Sequence, residues 1–341
     1  MEPPGIRALL DYCLGIKNTE KVALLHDTNR KAVRKILEVG LSDRRCQYKS
    51  IALEHKSGSY TQDALDILEN PEYPVIIFTS VKSIWHHPAR KRAKYELGKR
   101  IVSVICEAHG FQNGYSAADP EQIEKLGTPI SKLFAPGARV KITAPSGTDI
   151  ESVIESPFIE TGMFQERSTG GNWPSGEVGF GPKEGSVNGT IVYDLKFKHL
   201  GSLQKHHARV KVVEDECVEF DGRGGHRLRE LFISRDNALM MVGEFAIGLN
   251  PGFGRDRKNE IVMDSDATTI VEEKALGTAH FGHGGNLSFG KRVGDHADGV
   301  VSSPTVTVNG QMIMKEGKLF RELYSDDVCK WLGEIGLLYI G

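Results

Sequence analysis

The run K-V-A-L-L-H-D at 21–27 opens a pattern that recurs as Y-K-S-I-A-L-E at 48–54, P-V-I-I-F-T-S at 74–80 and R-I-V-S-V-I-C at 100–106. Each run is almost continuously apolar, as a strand covered on both faces must be. Residues 30–39, 62–68 and 89–98 lie between them with helical spacing, and residues 6–16 (I-R-A-L-L-D-Y-C-L-G-I) precede them in the same way. Strands alternating with helices imply a parallel sheet. The expectation is a doubly wound α/β, Rossmann-like domain over residues 1–135. After L-L-H-D the chain continues T-N-R-K, with no G-x-G-x-x-G to bring a pyrophosphate to a helix N-terminus. That argues against a nucleotide cofactor.

The character changes near Pro136-Gly137. A-R-V-K-I-T-A at 138–144 alternates polar and apolar residues, as a half-buried strand does. Short strand-like segments follow, rich in glycine: G-T-I-V-Y-D-L, A-R-V-K-V-V-E-D-E-C-V-E-F and T-V-T-V-N-G-Q-M-I-M-K-E-G-K-L-F. V-N-G-Q at 308–311 is a hairpin signal. Helices are expected at 225–234 and 325–335. The second domain, residues 136–341, therefore reads as a β-rich α+β unit.

Within it, residues 243–298 gather metal-ligand chemistry. Glu244, Glu272, Glu273, His280, His283, His296 and Asp298 are interleaved with glycines. Carboxylates with imidazoles suit zinc, manganese, cobalt or iron. His296 and Asp298, two apart, fall on one face of a strand. Upstream, N-W-P-S-G-E-V-G-F-G-P at 172–182 places Glu177 at the start of an alternating segment, where local grounds alone favour an exposed glutamate. In S-I-W-H-H-P-A-R at 83–90, His86 and His87 follow a strand end, and Pro88 at an early helical position favours a loop pair at a helix start.

Composition sets the frame. Of 341 residues, 39% are hydrophobic and 26% charged, with a formal net charge of −2. These values fit a soluble globular protein and argue against nucleic acid or an anionic membrane as a partner. The five cysteines (Cys13, Cys46, Cys106, Cys217, Cys329) are widely spaced without C-x-x-C, which matches neither a disulfide framework nor a thiolate zinc site. With no apolar signal segment and no apolar run near 18 residues, the expected location is cytoplasmic.

The motifs N-W-P-S-G-E-V, G-E-F-A-I-G-L-N-P, E-E-K-A-L-G-T-A-H-F-G and H-A-D-G-V closely resemble the thermophilic-aminopeptidase type of metallopeptidase (the aminopeptidase T, S and II group), nearest its short leucyl aminopeptidase-like branch. The resemblance runs through residues 138–341 and more loosely through the N-terminal half. It implies a two-domain hydrolase, usually a homodimer, with two divalent metals (zinc, manganese or cobalt) per chain. The implied ligands are Glu177, Glu244, His280, His296 and Asp298, with Glu273 the best match for a sixth. Position 287 is Leu where longer members have tyrosine. The 2,5-dihydroxypyridine dioxygenases resemble the chain more distantly, sharing W-P-S-G and H-x-D but holding one iron with two histidines and one aspartate. Their first histidine falls where this chain has Glu244.

The expected function is accordingly a metal-dependent, aminopeptidase-like hydrolase of small amide or peptide substrates. Two cations sharing a bridging water would lower its pKa and polarise the scissile carbonyl. Asp298 or Glu244 would bridge, and Glu273 or Glu177 would shuttle the proton to the leaving amine. The alternative is a mononuclear non-haem Fe(II) ring-cleaving dioxygenase in which His280, His296 and Asp298 form a two-His-one-carboxylate set.

Overall fold

The computed structural model describes residues 2–53, 60–80, 87–112, 114–252, 269–284 and 295–341. The fold is mixed α/β, and the chain divides into two compact units: residues 1–123 with 160–175, and residues 124–159 with 176–341.

The first unit is built on a parallel sheet in the order Gln47–Leu53, Lys21–Asp27, Val75–Thr79, Arg100–Val104, Asn172–Trp173. The order reverses direction at Lys21–Asp27, so right-handed crossovers place the helix Lys31–Asp43 on one face of the sheet and the helices Gln62–Glu69 and Pro88–Tyr95 on the other. Ala23, Leu25, Ile76 and Phe78 pack with Ala64, Ile67, Leu68 and Ala93 from the helices Gln62–Glu69 and Pro88–Tyr95. Thr61 caps the first of these, its hydroxyl accepting from the Ala64 amide at 3.3 Å. Beyond its other end, Lys99 Nζ donates to the carbonyls of Ile67, Asn70 and Tyr73 at 3.1, 2.6 and 3.0 Å. A cation suits that position because helix C-terminal carbonyls carry partial negative charge. The short strand Asn172–Trp173 requires Gly170 (φ +145°), where a Cβ would come within 1.8 Å of the Ile101 carbonyl oxygen. His87 caps the helix Pro88–Tyr95, its Nδ1 accepting from the Ala89 amide at 3.2 Å. His86 and Leu287 lie outside the described residues.

The second unit holds a large mixed sheet. Its central strands, Glu177–Pro182, Val242–Gly248, Thr278–Gly284 and His296–Ser302, are consecutive antiparallel neighbours. Directly paired residues of such strands share a face, and neighbours along each strand alternate. One face therefore carries Phe180, Phe245 and Phe281. The first two rings stack at 5.1 Å between centroids, and the third meets Phe245 edge-on at 4.9 Å. The V-N-G-Q hairpin closes with Asn309 and Gly310 both at positive φ (49° and 82°), as a type I′ turn requires. The apolar C-terminus adds the strand Leu338–Tyr339 beside Lys318–Phe320. All five cysteines are buried free thiols. Among the described residues, no helix is long and apolar enough to cross a membrane.

Candidate metal centre

The opposite face of those four strands carries the chemistry. Glu244 pairs with Gly282, and Gly282 with Asp298, giving a row of carboxylate, glycine, carboxylate. His280 lies two residues along, paired with Ala246 on one side and Val300 on the other, while His296 pairs with Gly284. Glu177 pairs with Gly248 at the far end of the neighbouring strand. Gly282 keeps the middle open: a Cβ there would lie 2.8 Å from His296 Cε1, 2.9 Å from Glu244 Cβ and 3.1 Å from Asp298 Oδ1. Only glycine leaves such a hollow.

Glu273 arrives from the helical turn Ile270–Lys274. That turn lies close against Gly248, where a Cβ would come within 2.1 Å of the Ala275 carbonyl oxygen. The Glu273 carboxylate accepts from Thr269 Oγ1 at 3.2 Å. Glu272, its neighbour, points elsewhere and pairs with the buried Lys196 at 2.8 Å.

The side chains form one connected chain. His280 Nε2 lies 3.3 Å from Glu177 Oε2 and 3.9 Å from Glu244 Oε1. Glu244 Oε2 is 3.8 Å from His296 Nε2, which is 2.9 Å from Asp298 Oδ1. At the other end, Lys274 Nζ contacts Glu177 Oε1 and lies 3.3 Å from Glu273 Oε1. Glu177, Glu273 and His280 each offer a ligand atom, all within 4.8 Å of one another. All six ligand candidates from the sequence thus meet on one surface, together with a lysine that the sequence does not mark out. In sequence, E-E-K at 272–274 looks like an ordinary charge run, and nothing local reveals that all three side chains are buried.

The electrostatics call for a cation. Burial opposes charge on His280, but the neighbouring Glu244, then Glu273 and Glu177, outweigh it and raise its pKa from 6.5 to about 9. Burial likewise opposes charge on His296, and Asp298 followed by Glu244 raises it to about 9. Asp298 is held well below the usual carboxylate range: burial pushes it up, but His296 and then Lys198 and His280 dominate. Protons on both imidazoles here take the place of a metal charge. His280 Nδ1 is buried without a hydrogen-bond partner. The donor types and the hollow at Gly282 fit a divalent ion.

His283 is not part of this site. It falls on the aromatic face, where Nδ1 faces the Leu239 carbonyl at 3.0 Å and Nε2 contacts the Tyr193 hydroxyl. Burial lowers its pKa to about 4, so it is a neutral core histidine.

A family model described as NicX: 2,5-dihydroxypyridine 5,6-dioxygenase matches residues 13–321. Among solved structures, 2,5-dihydroxypyridine dioxygenase from Pseudomonas putida KT2440 is similar with a TM-score of 0.75 at 15% identity, covering 92% of this chain and 95% of that one. Wild-type AmpT from Thermus thermophilus is similar with a TM-score of 0.59 at 13% identity, covering 93% and 98%. At those identities the two structures speak to the fold alone. No curated protein sequence matches the chain. The family match overturns the expectation of an aminopeptidase-like metallopeptidase hydrolase: the model that spans the chain is that of a dioxygenase. The physical source of the error is that Glu, His and Asp ligands serve either chemistry. Their presence at matched positions reports a metal-binding scaffold and leaves the reaction open.

Proposed function

The chain belongs to the 2,5-dihydroxypyridine 5,6-dioxygenase family, and on that premise we propose that it is a non-haem iron dioxygenase opening a hydroxylated, electron-rich aromatic ring of the dihydroxypyridine type. The observation that carries this reading is the pair of imidazoles flanking one carboxylate: His280 Nε2 and His296 Nε2 lie 3.9 and 3.8 Å from the two oxygens of Glu244. Two histidines and a carboxylate are the donor set that suits ferrous iron in oxygenases. Glu244 stands where the resembling dioxygenases carry a histidine, and His280 on the adjacent strand supplies the second imidazole instead. Asp298, beside His296, offers a further carboxylate oxygen.

Bound ferrous iron would supply the redox-active centre that couples dioxygen to the ring. The chain's own side chains prepare that position. Asp298 stays ionised at ordinary pH, fixing the His296 ring through its 2.9 Å contact. That contact is made by Nε2, the nitrogen that also faces Glu244, so His296 and Asp298 present donor atoms to one point, where an ion would replace the proton between them. His296 is the accessible member, its side chain 30% exposed against 1% for His280, so a ring would approach from the His296 side. Glu177 and Glu273, engaged by Lys274, serve as buried ionic partners at the closed end.

The test is reconstitution of metal-free protein with ferrous iron under anaerobic conditions, followed by oxygen-electrode assays on 2,5-dihydroxypyridine and related dihydroxylated rings. The expected result is one dioxygen consumed per ring lost, with both oxygen-18 atoms in the product. Iron-loaded protein that consumes no oxygen with any such ring would refute the proposal.

A further inference from the structure

We propose that Lys274 occupies the second cation position of this carboxylate cluster, so that the site takes one divalent metal where its side chains could otherwise hold two. The inference rests on reading the cluster as a metal site, and it concerns how many ions that site holds.

Glu177, Glu273 and His280 bring ligand atoms within 4.8 Å of one another, a spacing that a second ion could span. Two of those three groups are already bridged. Lys274 Nζ contacts Glu177 Oε1 and lies 3.3 Å from Glu273 Oε1, with the lysine, Glu177 and Glu273 only 3%, 4% and 5% exposed. An ammonium offers three donors and no acceptor. It satisfies carboxylates as a cation does, and it excludes a metal from the oxygens it covers.

The lysine is built into place. Its carbonyl accepts from the Asn250 amide at 2.8 Å. On either side, Thr278 Oγ1 donates to the carbonyls of Glu272 and Ala275 at 3.1 and 2.8 Å, which ties the whole turn to the strand that carries His280. Glu273 comes from the same turn, so anion and ammonium are delivered together. At the opposite end of the cluster the nearby lysine, Lys198, donates to the His296 backbone carbonyl at 2.6 Å. Glu244, His280, His296 and Asp298 therefore remain for the single metal.

Charge balance ties the second ion to the absence of the ammonium. Four carboxylates face the cluster, from Glu177, Glu244, Glu273 and Asp298. Beside the ammonium, a second divalent ion would turn a single net negative charge into a single buried positive one, whereas without the ammonium two divalent ions balance the four carboxylates. Buried uncompensated charge is strongly disfavoured. Removing the ammonium restores capacity for the second ion.

The test is anaerobic titration of the metal-free 341-residue chain with Co2+, read by calorimetry and by elemental analysis after gel filtration. Wild type is expected to saturate at one equivalent and Lys274→Met at two. Lys274→Arg keeps the charge and should remain at one. The double variant Lys274→Met with Glu273→Gln, which removes a ligand along with the ammonium, should return to one. Metal-free Lys274→Met is expected to melt below wild type and to recover with two equivalents of Co2+. Wild type saturating at two would overturn the proposal, as would a folded Lys274→Met that stops at one or a destabilised one that Co2+ does not restore. Oxygen uptake by iron-loaded wild type reports on ring cleavage whatever these stoichiometries are, so the two readings fail separately.

Discussion

His280 and His283 stand three residues apart on one strand, both almost wholly buried, and their protonation is driven in opposite directions. His280 is raised to about 9 among carboxylates, and His283 is lowered to about 4 among aromatic rings. Burial alone pushes both downward. The difference is set by which face of the sheet each side chain leaves from. One face of these four strands holds the ligands and the other holds Phe180, Phe245 and Phe281. Chemistry and stability are thus assigned to alternate residues of the same segments, and substitutions on the two faces should separate them.

The largest effect is expected on the ligand face. Replacing His296 and Asp298 together by Ala should abolish oxygen uptake and lower metal affinity by more than roughly 100-fold, the upper range for losing merely a supporting partner. Circular dichroism should show the metal-free fold retained. Metal content unchanged in the double variant would break the comparison.

On the aromatic face, Phe281→Ala should cost about 3–5 kcal/mol of stability, because its ring fills a packed core position. Denaturant unfolding measures the loss, and metal stoichiometry at saturation should not change. If this variant lost metal while remaining folded, the two faces would not be separable.

The pH dependence sharpens the contrast. In the metal-free protein His280 and His296 hold protons up to about pH 9, whereas an unperturbed histidine loses its own near 6.5. Those protons stabilise the metal-free fold fully below pH 6.5, and the contribution is lost as pH rises through 9. A metal must displace them, so its affinity should rise with pH by about tenfold per unit for each proton released. The rise should flatten above about pH 9. Calorimetry in buffers of different ionisation enthalpy counts the protons directly, and metal binding at pH 7 with no proton release would contradict the assignment.

The smallest effect lies away from both faces. Asn309→Ala places an alanine at φ 49° in the hairpin turn and should cost about 1 kcal/mol, since residues other than Gly, Asn and Asp pay to adopt the left-handed region. Neither metal content nor activity should respond.

The sequence by itself determined more of the site than of the reaction. Strand runs such as V-I-I-F-T, caught between helical stretches, dictate a covered parallel sheet because no other element buries so continuous an apolar segment over so few residues. Period-two spacing is enough to put His296 and Asp298 on one face of a strand. The identities of Glu177, Glu244, Glu273, His280, His296 and Asp298 were legible as ligand chemistry. Their reaction was not, because the same donors serve hydrolysis and oxygenation, and the hydrolase reading gave way to the family match.

Tertiary structure alone decided the rest. Periodicity says which residues of one strand share a face, but neighbouring strands are chosen by long-range pairing, which local sequence does not encode. Only that pairing sets His280 beside Glu244 and sends His283 to the other side. Asn172–Trp173 joins the parallel sheet of the first unit through the same kind of distant pairing. Lys274 illustrates the limit most directly. Nothing in E-E-K distinguishes a solvated charge run from a buried ammonium, because burial is a property of what packs above the residue. Here that is a glycine at 248 and a threonine at 278, which draw the turn inward until its lysine meets two carboxylates.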